Sequence, residues 1–126
     1  SAVNISYAFA EKTGYCKIGS YEGNGNADGT FIYTGFKPAW LLVKSTAGSQ
    51  QWLMMDNKRG YNGSNELLYA DATEGAGSAE VVDFVSNGFK MRSSGAGNNS
   101  SGQDYIFMAF AESPFVNSNG VPTNAK

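Results

Sequence analysis

VVDFVSNGFKMRS, residues 81–93, is the stretch on which the fold reading turns. Two short runs of alternating apolar and polar residues flank Asn87-Gly88, a dipeptide that supplies the positive φ angles a type I′ two-residue hairpin turn demands. Counting outward from that turn places Phe84 opposite Met91 and Asp83 opposite Arg92. An apolar pair and an opposite-charge pair then occupy adjacent rungs, and a one-residue slip would break both. The stretch therefore predicts an antiparallel hairpin with one face toward a core.

The same pattern of short runs separated by turn chemistry extends in both directions. Strands are predicted at Ile5 to Ala10, Tyr15 to Tyr21, Thr30 to Tyr33, Ala39 to Ser45, Gln51 to Asp56 and Tyr105 to Ala111, beside the hairpin strands Val81 to Val85 and Phe89 to Ser93. Nothing sustains a helical period over three turns. Ser64 to Thr73 comes nearest, but its two leucines are adjacent, and it too reads as a strand. Many short strands at this spacing predict an all-β fold, an antiparallel β-sandwich. The 126 residues suit one domain, and charged residues make up only 16%, which fits β-structure rich in turns.

Trp40 and Leu42 lie on one face of their strand and Leu41 and Val43 on the other, and Trp52 and Met54 oppose Leu53 and Met55 in the same way. A two-sheet sandwich covers only one face of each sheet, so a neighbouring subunit or a terminal segment is expected over the second.

Composition narrows the function. The chain has no histidine, which removes the commonest general base and metal ligand near neutral pH. Its net charge of −2 offers no broad cationic surface, so nucleic acid is not an expected partner. No apolar run, Ala39 to Val43 included, approaches the roughly 20 residues of a membrane-spanning helix, so no membrane insertion is expected. The single cysteine, Cys16, permits no internal disulfide and reads as a small apolar strand residue. With no initiator Met and no apolar leader at its start, the chain reads as a fragment.

Candidate sites are few. Asn24 to Gly29 opens like a calcium loop, but the twelfth position is Gly35 where a bidentate Glu is needed, so no metal and no cofactor are expected. No carboxylate pair is set at i, i+2, and no catalytic residue is assigned. The densest polar and aromatic cluster is Asp56 to Gly63. There Asn57 and Arg59 offer directional hydrogen bonds and Tyr61 a ring with a polar tip, while an Asp56–Arg59 ion pair closing a turn is the competing reading. Trp52 is either a ligand platform or core. Asn98 and Asn99 lie in the Ser94 to Gln103 loop, a candidate ligand loop, as is Glu74 to Glu80. The sequons at Asn62, Asn98 and Asn99 are read as loop composition.

An echo organises the ends of the chain. SYAFAE at 6–11 recurs as FMAFAE at 107–112, at a constant offset of 101 residues. Tandem modules of that length would account for it, with residues 1–11 the closing strand of a preceding module or an N-terminal extension, 12–112 the sandwich and 113–126 an extended tail.

Four stretches taken in order, GSYEGNGNADGTFIYTGFKPAWLLVK at 19–44, Trp52 followed by DNKR at 56–59, DFVSNGFKMRS at 83–93 and YIFMAFAESPFVNSNGVP at 105–122, carry a resemblance. The chain resembles the repeated C-terminal module of tail-fibre and other tail proteins of tailed bacteriophages. The resemblance implies a lectin-like or jelly-roll β-sandwich in a homotrimeric fibre of the virion, made in the host cytoplasm. Its implied role is adsorption through a host-surface receptor, a bacterial surface polysaccharide. A trimerisation or capping module without ligand, and a polysaccharide depolymerase, are the alternatives. The shared motifs read as scaffold and assign no binding residue.

Overall fold

The computed structural model describes residues 2–113 and contains nine strands and no helix among them. The strands are β1 (Cys16–Glu22), β2 (Phe31–Tyr33), β3 (Pro38–Ser45), β4 (Leu53–Asp56), β5 (Asn65–Tyr69), β6 (Gly77–Ala79), β7 (Val82–Val85), β8 (Gly88–Met91) and β9 (Asp104–Ala111). They form a six-stranded sheet in the order β1-β9-β3-β4-β5-β6 and a three-stranded sheet in the order β2-β8-β7, antiparallel at every pairing. The two sheets pack face to face as a β-sandwich, as the alternation of the short strands predicts. The predicted tail falls almost wholly outside the described residues.

Side chains of period 2 explain the core. Leu41, Val43, Met55, Tyr105, Phe107 and Ala109 point inward from the larger sheet, and Ile32, Val82, Phe84, Phe89 and Met91 meet them from the smaller one, all buried. Phe89 meets Phe107 edge to face with ring centroids 5.1 Å apart, and Tyr21 stacks on Tyr105 at 5.2 Å. Full burial of each such side chain stabilises the fold by about 2–3 kcal/mol, and the ring geometry adds to that.

The hairpin forms, but in a different register from the one its sequence suggests. Phe84 faces Phe89, Val82 faces Met91 and Asp83 faces Lys90, so the two-residue turn is Ser86-Asn87. No residue of this turn has a positive φ. The shift is an even one, which leaves each side chain on its expected face. Asp83 and Arg92 still meet, Oδ2 to Nε at 3.3 Å, across a diagonal. Gly88 has a different duty: a Cβ there would lie 2.0 Å from the Ile32 carbonyl oxygen, so its lack of a side chain lets β2 approach β8.

Three further predictions need correction. Ile5 to Ala10 lies in neither sheet, with Val3, Ile5, Tyr7 and Phe9 all exposed. Residues 77–79, read as loop, form β6 and pair with β5. Ser64 to Thr73 is a strand only over β5, after which a turn follows.

Asn62 and Asn65 close the free edge of β7. Asn65 Oδ1 accepts from the N–H groups of Val81 and Val82, both at 2.8 Å, and its Nδ2 donates to the Val82 carbonyl at 3.0 Å. Asn62 exchanges the same two bonds with the Phe84 backbone, at 2.7 and 3.0 Å. These amides stand in for a neighbouring strand and tie the edge of one sheet to the other.

Tyr21 gives the fold a pH dependence. Its hydroxyl donates to the Asn98 carbonyl at 2.6 Å, and burial first, then the neighbouring Tyr105, push the phenol far above its ordinary value near 10. The folded state disfavours the phenolate, so the stability this group contributes is complete below pH 10 and falls as pH rises past it. In urea titrations from pH 8 to 11.5, Tyr21→Phe is expected to lose about 1 kcal/mol at pH 8. Its stability should then fall less steeply above pH 10, by about 1.4 kcal/mol per pH unit. Equal alkaline slopes in the two proteins would refute the assignment.

Candidate functional site

The Asp56 to Tyr61 cluster is closed on itself. Asp56 Oδ1 accepts from the backbone N–H groups of Lys58 and Arg59, and Oδ2 meets the Arg59 guanidinium at 3.1 Å. Burial raises the Asp56 carboxyl, but these hydrogen bonds and the Arg59 charge outweigh it and hold the group below its usual range. Asn57 donates to Glu112 Oε1 at 2.9 Å, and Glu112 Oε2 meets Lys37 Nζ at 3.2 Å. Lys37 lies over the Tyr61 ring, 5.5 Å from its centroid, while the ring leans on Phe84. Tyr61 first, then Glu112, raise the Lys37 amine above its ordinary value. The ion pair that competed with ligand binding is present, and Asn57, Arg59 and Tyr61 all have partners within the chain.

Asn98 and Asn99, read as loop residues able to touch a ligand, are buried. Asn98 is bonded to Ser93 Oγ. Asn99 Oδ1 accepts from Asn24 N–H, and its Nδ2 lies within 3.0 Å of Asn24 Oδ1, the Asn26 carbonyl and the Ser93 carbonyl. The amide is a rivet between the glycine-rich loop at 23–29 and the loop at 93–103. Gly23 makes their approach possible, because a Cβ there would sit 2.3 Å from the Ser100 carbonyl oxygen. The oxygens of the calcium-like stretch are also engaged: Asn24 Oδ1 accepts from Asn26 N–H as well as from Asn99, Asn26 Oδ1 accepts from Asp28 N–H, and Asp28 pairs with Lys90. Among the described residues no three His, Cys, Asp or Glu side chains gather at a possible metal position.

Trp52 sits 36% exposed on the outer face of the six-stranded sheet. That face is apolar across five strands, because the pairings place Ile18, Met108, Leu42, Met54 and Leu68 side by side in one row. Trp40 and Phe110, 5.5 Å apart, flank the row on one side, and Ile106 and Trp52 on the other. All five residues of the row are half-buried. Trp52, Leu42 and Ile106 line a shallow groove of about 160 Å³. The strands apolar on both faces thus have their inner halves in the core and their outer halves in this row.

A second concavity, about 390 Å³, opens between the turn leading into β1 and the β2–β3 connection. Gly14 and Gly35, both with positive φ, turn the chain on its two sides. Glu11, Thr13, Lys17 and Thr34 share its walls with the apolar Cys16 and Phe36, and the Tyr33 ring stands 66% exposed at the rim. Glu11 Oε1 accepts from Ile18 N–H at 2.9 Å and meets Lys17 Nζ at 3.1 Å. The Ile18 bond first, then Lys17, keep the Glu11 carboxyl below its ordinary value, so it is ionised near neutral pH. None of these residues was assigned a ligand-binding role from the sequence. The signal for Tyr33 was present in the alternation of Phe31, Ile32 and Tyr33, which sends the two aromatics outward and Ile32 into the core.

Fold and surface together define a class: an antiparallel β-sandwich module with an apolar outer sheet face and a recess of mixed polarity beside its first strand. The chain belongs to the family described as a domain of unknown function (DUF7483), whose model matches residues 1–114. No curated protein and no solved structure matches it.

Proposed function

We propose that this chain is a non-catalytic module of a multi-copy fibre, of the tail-fibre kind its sequence resembles, that displays a glycan-recognising surface toward a bacterial host. The observation that carries the assembly is the five-strand apolar row from Ile18 to Leu68. Solvent-exposed sheet faces normally carry polar residues at alternate positions, and an apolar row of this width is stabilised when another surface covers it. A homotrimer places three such faces around one axis and three copies of any receptor site on one particle, which raises avidity without new contacts.

The carboxylates support the non-catalytic reading. Glu11, Asp28, Asp56, Asp83 and Glu112 each pair with a lysine or arginine, an arrangement suited to surface structure and not to a pair of acids flanking a scissile bond. The capping reading shares the same apolar face and differs in lacking a ligand.

Sedimentation velocity tests the assembly. The wild-type chain is expected to sediment as a trimer, and Leu42→Lys, which places a charge in the middle of the row, as a monomer with an unchanged far-UV spectrum. A wild-type chain that remains monomeric at high concentration would overturn the proposal.

A further inference from the structure

We propose that the recess formed by Glu11, Thr13, Lys17, Tyr33 and Gly35 is a saccharide-binding site, which names the receptor surface of the reading above and rests on it. Free hydrogen-bonding capacity gathers around this concavity. The Asn98 and Asn99 amides are buried and bonded within the chain, and Asn57 and Arg59 are each tied to a carboxylate. Glu11 Oε2, the Thr13 hydroxyl and the Tyr33 hydroxyl have no hydrogen-bond partner among the described residues. Lys17 Nζ has only its bond to Glu11 Oε1, which leaves two of its three donor positions free.

The volume of about 390 Å³ lies within the range of small-ligand sites, and the two glycine turns fix its walls. An ionised carboxylate oxygen accepts strongly from vicinal hydroxyls, an ammonium donates to ring or hydroxyl oxygens, and a hydroxyl serves either way. Tyr33 adds an exposed aromatic face on which the C–H face of a pyranose can lie. Acceptor, donor and apolar platform around one concavity are the groups a hydroxyl-rich ring requires. A flat apolar ligand would leave the charged pair unmatched, and a phosphate would face Glu11.

The test is a titration of the ¹⁵N-labelled chain with galactose, glucose, rhamnose and N-acetylglucosamine, followed through backbone amide shifts. At least one sugar is expected to move the amides of Thr13, Gly14, Lys17 and Gly35. Tyr33→Ala and Glu11→Gln are each expected to weaken that sugar by about tenfold, the effect of losing one contact of about 1.4 kcal/mol. Glutamine retains the oxygen that Ile18 uses and replaces the free one by a donor. Both side chains are exposed, and an unchanged spectrum away from the recess verifies that the variants fold. Shifts centred elsewhere would overturn the recess while leaving glycan recognition standing. The absence of any shift with all four sugars would overturn both, and the sedimentation result judges the assembly separately.

Discussion

Replacing Asn99 by alanine is expected to lower the unfolding free energy by about 3–5 kcal/mol, since the cost of one buried unsatisfied polar group is about 1–3 kcal/mol and several are created. The Asn99 side chain is fully buried and bonds four backbone or side-chain groups from two loops. Without it, Asn24 N–H and the Asn26 and Ser93 carbonyls lose their partner between loops too close to admit a row of waters. Aspartate is expected to do no better, because a carboxylate would face the three oxygens to which the amide nitrogen donates. Asn98→Ala should cost much less, about 1 kcal/mol, because its side chain is bonded only to Ser93 Oγ and the Tyr21 hydroxyl uses the Asn98 backbone carbonyl. Urea titration of the three variants checks the order, and amide hydrogen exchange should show Gly25 N–H, bonded to the Asn99 carbonyl, losing protection most. An Asn99→Ala protein within 1 kcal/mol of wild type would mean that the two loops are held by their backbone bonds alone.

The contrast between Asn98 and Asn99 shows where sequence reasoning stops. In a stretch of Ser, Gly and Asn the default expectation is an exposed turn, and each residue taken singly supports it. Burial of Asn99 arises from the meeting of two loops some seventy residues apart, and local pattern holds no information about that meeting. Gly88 teaches the same lesson: beside Asn87 it signals a positive φ, yet it is conformationally ordinary, and what it supplies is room for the Ile32 carbonyl. A glycine required for backbone angle and one required for close approach look alike in sequence.

What was legible depended on period-2 alternation, because side-chain direction in a strand needs no tertiary knowledge. Eight of the nine strands fell within or beside predicted runs, and the even register shift in the hairpin left every face correct. β6 was missed because Gly77-Ser78-Ala79 carries no apolar residue of strand type and is a strand only through its pairing with β5. Ile5 to Ala10 shows the converse, with strong alternation and no sheet partner. The apolar character of both faces of β3 and β4 was legible in the sequence, and the recess was missed because its walls come from a turn, a strand and a connection that only the fold brings together.

Asn65→Leu should destabilise the sandwich by about 3–4 kcal/mol through the edge of β7 and not through the core. Leucine keeps the branched outline of asparagine but is larger, so some overpacking adds to the main loss, which is that Val81 N–H, Val82 N–H and the Val82 carbonyl are left buried without partners. Asn62→Ala, in an exposed position where water can reach the Phe84 backbone, is expected to cost about 1–2 kcal/mol. Because the two amides serve adjacent rungs of one edge, the double variant should depart from additivity: once β7 has lifted at Val82, the Phe84 rung has less left to lose. The exposed edge also gains a free row of backbone donors and acceptors, so the Asn65→Leu protein should aggregate on warming at temperatures where wild type remains clear. Urea midpoints for the two single variants and the double, with light scattering during heating, give the measurement. If Asn65→Leu proved as stable as wild type, β7 would be held by its β8 pairing alone and the side-chain edge would be dispensable.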